Sequence, residues 1–339
     1  MTKVLLTGGS GFIATHILRA LLEAGHSVVT TVRSNDKAEN IRKAYPNLGA
    51  DRLDFAIVSD VARLDAFDDA VVSNPPFEAV IHTASPFHFN VTDIKKDLLD
   101  PAINGTTGIL YAIKRNAPSV KRVVITSSFG SMMNVSQGLW PGHTYSEADW
   151  NPVTPEQALE NPGFGYSASK TFAERAAWDF IENEAPEFTL STILPPLVFG
   201  PAVQSLKSLN DLNTSNQFIL SFTAGAAKDA IPPTKNPIFV DVRDVAFAHV
   251  AAMEKQEAGN KRFFVTAGHC SNRQIIDTIR KNFTEYHDML PSESLEGGEL
   301  PEAVYQIDNS RSIDILGVKY ATLEKCIVDT VQSFKSVAQ

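Results

Sequence analysis

The chain has 339 residues, 43% of them hydrophobic and 20% charged, which is enough apolar material for a large core and argues against a disordered chain. A formal net charge of -9 argues against nucleic acid or an anionic membrane as the main partner, because either would favour a basic face. The sequence opens MTKVLLTGG without a charged-then-apolar leader, and no apolar run reaches the roughly 20 residues of a membrane helix, so a cytoplasmic protein is expected.

From the N-terminus, β-branched runs at residues 4–7, 27–32, 53–58, 79–83, 122–127 and 189–194 read as strands. Helical patterns alternate with them at 12–24, 37–44, 64–71, 92–115 and 167–184. In the first of these Ile13, Ile17, Ala20 and Leu21 recur at helical spacing and would face a sheet. Regular alternation means βαβ units, hence an α/β fold with a doubly wound parallel sheet. Beyond Pro201 the pattern loosens, and residues 204–237 are expected to be irregular. A strand at 238–242, a helix at 244–255, a strand at 262–266 and helices at 272–283 and 322–334 follow. Residues 1–195 with 238–265 are expected to form a dinucleotide-binding domain. Residues 196–237 with 266–339 are expected to form a smaller, mixed, substrate-binding lobe.

The run Thr7-Gly8-Gly9-Ser10-Gly11-Phe12-Ile13-Ala14 joins the first strand to the first helix. Glycines there permit a tight turn and close backbone approach to a pyrophosphate, which then rests on the N–H groups of the helix start. This marks Gly8, Ser10, Gly11, Phe12 and Ile13 as candidate cofactor contacts in a Rossmann-type sheet. In many such sites an acid ends the second strand and holds a ribose hydroxyl. Here that position holds Arg33, with Lys37 one turn later. A guanidinium that forks onto a 2′-phosphate favours NADP(H) over NAD.

Tyr166 and Lys170 lie four apart, on one helix face, and a strand ahead of them ends in Thr126-Ser127-Ser128. Carbonyl reduction by hydride needs an acid beside the developing alkoxide and hydrogen bonds that hold its oxygen. A phenol near an ammonium suits that task, and the charge is expected to lower the phenol pKa.

With these motifs together the sequence resembles the extended short-chain dehydrogenase/reductase family, in particular its fungal NADPH-dependent carbonyl (methylglyoxal/isovaleraldehyde-type) reductases and the related dihydroflavonol and cinnamoyl-CoA reductases. The resemblance extends to His82-Thr83-Ala84-Ser85-Pro86-Phe87, Asn104-Gly105-Thr106, the segment 195–201 and the segment 239–246. It implies Ser128 as catalytic serine, with Ser127 the less favoured alternative, Tyr166 as acid, and Lys170 as ribose-binding base partner. It also implies Arg33 and Lys37 at the 2′-phosphate, Asp60 and Val61 beside adenine, and Thr83, Ala84 and Ser85 along the cofactor cleft. Pro195 and Val198 would border the nicotinamide amide. Relatives often carry Asn where this chain has Leu194, a departure that bears on one local hydrogen bond and not on the activity. Phe87, Phe129 and Met133 are expected as substrate-pocket walls.

No His or carboxylate spacing supports a metal, and His82 reads as a strand-end residue. Cys270 and Cys326 are too few for a disulfide framework and are expected as reduced, buried thiols. The expected activity is NADPH-dependent reduction of an aldehyde or ketone. The alternatives are a nucleotide-sugar epimerase or dehydratase, against which Arg33 argues, and a non-catalytic NADP sensor, against which Tyr166 and Lys170 argue. A small-molecule carbonyl compound is the expected partner, with no nucleic acid and no membrane, for a monomer or homodimer.

Overall fold

The β-branched runs assemble into a seven-stranded sheet, in a computed structural model that describes residues 1–85, 91–160, 162–204 and 206–337. In chain order the strands are β1 (Lys3–Thr7), β2 (Ser27–Val32), β3 (Leu53–Ile57), β4 (Ala79–His82), β5 (Arg122–Thr126), β6 (Thr144–Tyr145) and β7 (Thr189–Leu194). They continue with β8 (Leu197–Phe199), β9 (Ile238–Asp241), β10 (Lys261–Phe264), β11 (Gly268–His269) and β12 (Gln306–Ile307). The large sheet runs β10-β7-β5-β4-β1-β2-β3, every neighbouring pair parallel. Register sets Thr7 opposite His82 and His82 opposite Ile125, so β1, β4 and β5 end level along one rim. The strand order reverses between β1 and β4, the point where sheets of this kind open a crevice.

The helices are α1 (Phe12–Glu23), α2 (Asn35–Ala44), α3 (Asp100–Asn116), α4 (Pro155–Glu160), α5 (Pro162–Glu184), α6 (Thr214–Thr223), α7 (Val242–Glu254), α8 (Asn272–Asn282) and α9 (Leu323–Val337). Successive side chains of β1 point to opposite faces of the sheet. Val4 and Leu6 pack with Ile17 and Leu21 of α1 and Val245 of α7, whereas Leu5 packs with Ile109 and Ile113 of α3 and Phe180 of α5. Both faces are therefore covered, which is what near-continuous apolar strands require.

The lobe has its own apolar core, with Ile219 and Phe222 of α6, Ile275 and Ile279 of α8, and Ile327 and Phe334 of α9. A small sheet, β11-β9-β8, lies with it. The segment 238–241 thus pairs in the small sheet, while α7 and β10, which follow it, belong to the large one. Segment 204–237, read as irregular, contains α6. Its helical signal is short and hidden among polar residues. Residues 64–71 form a chain of turns rather than a helix. Asp65 and Asp68 are weak helix formers, and both are engaged by arginines, Arg63 and Arg115. The helix expected from 92 begins with a wide turn at Lys95–Leu99 before α3, since Pro101 has no N–H to continue a regular ladder.

Arg243 joins the two parts. Its guanidinium donates to Asp241 at 2.6 Å and to Asp329 of α9 at 2.6 Å. Beside it, Asp244 accepts the Ala321 N–H at 2.9 Å. Burial, with a contribution from Asp241, pushes the Asp244 carboxyl up to about 6, and the Ala321 bond offsets only part of this. The folded value lies above the ordinary aspartate range, so the stability this group contributes is complete below about pH 4 and lost as pH rises through about 6. Asp244→Asn, which keeps an acceptor for Ala321 and removes the charge, is expected to raise Tm at pH 8 by roughly 1–3 °C. The gain should shrink as pH falls and vanish below about pH 4 in melting curves of the two proteins, and an equal gain at pH 8 and below pH 4 would contradict this.

Candidate active site

The level rim of β1, β4 and β5 opens into a cleft of about 1110 Å³, roofed by the lobe. The turn after β1 is its floor at one end. Gly8 has φ +76°, and a side chain there would meet the Ala84 backbone at 3.1 Å. A Cβ on Gly9 would lie 2.1 Å from Thr30 Oγ1 in β2. Only glycine fits either position. Gly11 starts α1 without a side-chain cap, and the first turn carries no acid, so its N–H groups and positive dipole end face the cleft. Both are what a pyrophosphate needs.

Thr7 ties the ends of β1 and β4. Its hydroxyl oxygen accepts the N–H groups of Thr83 and Ala84, each at 3.1 Å, and its proton is left for His82 Nδ1 at 2.9 Å. Burial and the nearby Lys170 push His82 down to about 3, so it is a neutral acceptor buried at the strand end. Thr83, Ala84 and Ser85 line the cleft. At its far end Arg33 and Lys37 are exposed along the cleft wall, and neither has a carboxylate partner among the described residues. Val61 lines the cleft, and one oxygen of the adjacent Asp60 carboxylate accepts the Ala62 N–H at 2.9 Å.

Ser128, Tyr166 and Lys170 meet on the opposite wall. Ser128 follows β5 in extended conformation, and its Oγ accepts the Gly130 N–H at 3.0 Å, capping a short turn at Phe129–Ser131. Tyr166 and Lys170 project from α5 one turn apart, with the ammonium 5.9 Å from the phenol ring centre. Ser128 hydrogen-bonds the Tyr166 hydroxyl, and Lys170 Nζ donates to Ser85 Oγ at 2.9 Å. Ser127 is committed elsewhere, since its hydroxyl donates to Glu174 at 2.6 Å. Burial pushes the Tyr166 phenol above its ordinary range, and the Ser128 bond pulls the other way. Spacing suggested the reverse direction. Burial also pushes Lys170 down to about 8, which leaves most of it charged at neutral pH.

Pro195 and Val198 also line the cleft, and Phe129 and Met133 lie beside Ser128. The Phe129 ring stacks on Phe264 at 5.3 Å and meets Tyr145 edge-on, so packing fixes its orientation. Phe87 and His88 lie outside the described residues. Among the described residues no cluster of His, Cys, Asp or Glu could hold a metal ion, and no helix is long and apolar enough to cross a membrane. Cys270 and Cys326 are free and buried.

Residues 4–267 match the NAD dependent epimerase/dehydratase family. The chain belongs to that family. Ketoreductase azaE of Aspergillus niger is 48% identical over 334 residues, covering 98% of this chain and 97% of that protein. Gre2 of Candida albicans, solved in complex with NADPH, is 37% identical with a TM-score of 0.91 over 100% of both chains. Yeast methylglyoxal/isovaleraldehyde reductase Gre2, also solved with NADPH, is 34% identical with a TM-score of 0.90 over 98% of both. These are the fungal reductases that the motifs resemble.

Within this family's fold, the lobe completes the wall with residues that sequence reasoning missed. Asn213 and Thr214 come from the start of α6, Asn236 from the approach to β9, Ile238 from its first position, and Tyr305 from the segment before β12. No motif marks them, because they converge only in three dimensions. Asn213 heads α6 without capping it, and its side-chain oxygen is buried without a partner among the described residues. The wall near the reacting end is thus apolar with isolated hydrogen-bonding groups, the usual make-up of a small-molecule site.

Proposed function

We propose that this chain reduces an aldehyde or ketone to the alcohol, with NADPH as the reductant. The observation that carries the reading is the convergence of Ser128, Tyr166 and Lys170 on one cleft wall that continues to the glycine turn and to Arg33. The NADPH complexes of the two Gre2 proteins and the name of the Aspergillus relative support it. On this reading the chain works on small molecules in the cytoplasm, as a monomer or homodimer, without nucleic acid or membrane. Its net charge of -9 agrees with that. The lobe of residues 196–237 and 266–339 is its substrate side.

NADPH, when bound, supplies the hydride. The chain supplies the rest. The turn at Gly8–Gly11 and the start of α1 hold the pyrophosphate, Val61 and Thr83–Ser85 border the nucleotide, and Pro195 and Val198 border the nicotinamide. Ser128 holds the carbonyl oxygen beside Tyr166. Burial keeps Tyr166 protonated across the working range, so it retains the proton that the developing alkoxide needs. The Ser128 bond and the Lys170 charge both favour the phenolate left behind. Lys170, in reach of Ser85, also presents donors to a ribose. Phe129 and Met133 shape the substrate's side, with Phe87 proposed beside them.

Loss of NADPH absorbance with a panel of aldehydes, ketones and diketones tests the activity. Tyr166→Phe should retain NADPH binding and lose at least about a hundredfold in kcat, the lower end of what a positioned acid contributes. A Phe variant that kept a tenth of wild-type turnover would remove Tyr166 as proton donor.

Cofactor choice is tested separately. A charge-assisted contact from Arg33 to the 2′-phosphate is worth on the order of 1.5–3 kcal/mol, hence roughly ten- to a hundredfold in NADPH affinity. Arg33→Ala should lose about that factor for NADPH and leave NADH almost unchanged. Lys37→Ala should lose less, because its charge is flexible and better hydrated. Comparable kcat/KM for NADH and NADPH in the wild type would contradict the assignment.

A further inference from the structure

Directly beneath the cleft wall lies a carboxylate for which the proposed reaction has no use. Glu174 is one turn beyond Lys170 on α5, on the face that carries Tyr166, and its side chain is 1% exposed. An isolated carboxylate so placed would be strongly destabilising. Here both oxygens are occupied. Oε2 receives the Ser127 hydroxyl at 2.6 Å and lies 2.5 Å from Ser131 Oγ. Oε1 receives Thr192 of β7 at 2.8 Å, Arg262 Nε of β10 at 2.8 Å and Trp178 Nε1 at 3.3 Å. Burial raises its pKa, but Arg262 and the hydroxyls outweigh that and hold the carboxyl below the ordinary range, so it is a stable anion.

The position of these partners matters more than their number. Ser127 and Ser131 bracket Ser128, and Ser131 Oγ also lies 2.8 Å from the Ser128 carbonyl oxygen. Glu174 therefore holds the residue before Ser128 and the far end of the turn that Ser128 caps, while it is itself built into the helix that presents Tyr166 and Lys170. Arg262 fixes the carboxylate in turn. It donates to the carbonyls of Glu147 and Asp149 at 2.7 Å each, and its guanidinium lies 3.7 Å from the Trp150 ring centre.

We propose that Glu174 is a positioning residue for carbonyl reduction, which clamps the Ser128 turn to α5 and so sets the Ser128–Tyr166 hydrogen bond. The proposal rests on the reductase reading. It gives the pattern Tyr-x-x-x-Lys-x-x-x-Glu a third member that acts through Ser128 and touches neither substrate nor cofactor.

Steady-state kinetics of Glu174→Gln, Ser128→Ala and the double variant test it, beside the wild type. Displacing a reacting group by about an ångström costs up to about a hundredfold. Glu174→Gln should therefore lower kcat by about ten- to a hundredfold, with KM for NADPH within about twofold of wild type. In the Ser128→Ala background the same substitution should cost less than about threefold further, because its route to the reaction is already gone. Full additivity, or a loss confined to KM for NADPH, would overturn the proposal. Should Glu174→Gln not fold, with Arg262 left unpaired, Ser127→Ala with Ser131→Ala cuts the clamp and keeps the ion pair. That variant must show the same fall in kcat, and wild-type kcat in it would overturn the proposal. A wild type inactive with every carbonyl tested would overturn the reductase reading first, and this proposal with it.

Discussion

Everything in the cleft depends on how α5 lies against the turn that follows β5. The helix carries a phenol and an amine, the turn carries a serine, and the three form a site only if the two elements hold one register. Apolar packing of α5 on α3 and the sheet sets the approximate distance through Phe180 and Ala177. Such packing is non-directional and leaves freedom of sliding. Directional bonds remove it, from Ser128 to Tyr166, from Lys170 to Ser85 at the end of β4, and from Glu174 to the turn itself. Two neighbouring strand ends, those of β4 and β5, are thereby joined to one helix, on the side of the sheet where its strand order reverses.

That arrangement also sets the electrostatics. Tyr166 and Lys170 are enclosed by protein on every side except the cleft, and this burial moves both toward their neutral forms. The lysine nevertheless stays mostly charged at neutral pH, since about 8 is still above it. A protonated phenol beside a charged amine is the state from which a proton is given to an alkoxide; burial favours the phenol and opposes the ammonium, without neutralising it. The neutral His82 below them adds no competing charge.

Much of this was legible in the sequence, for local reasons. The glycine turn and the Tyr/Lys pair are short motifs whose geometry is fixed by φ or by helical spacing, and the parallel strands are apolar runs too continuous to face water. What was not legible depends on contacts between distant segments. The resemblance prefers Ser128 to Ser127, but the physical reason, that Glu174 engages Ser127, lies in a contact between distant segments. The direction of the Tyr166 shift needs the burial around it, and sequence spacing carries only the Lys170 charge. The lobe's contributions, Asn213 and Tyr305 among them, come from segments with weak periodicity that pack on each other. The turns at 64–71 escaped because Asp65 and Asp68 bond to arginines in preference to a helical ladder.

The fold is shared by enzymes that reduce a substrate and by enzymes that return it at its original oxidation level, so the net fate of the hydride is the central question. Single-turnover reduction with NADPH carrying deuterium at the transferable C4 position answers it directly, with the product read by mass spectrometry. The account predicts one deuterium on the carbinol carbon for each NADP formed, with the hydroxyl proton drawn from solvent. Product at the substrate's oxidation level, or reduced product without the label, would contradict it.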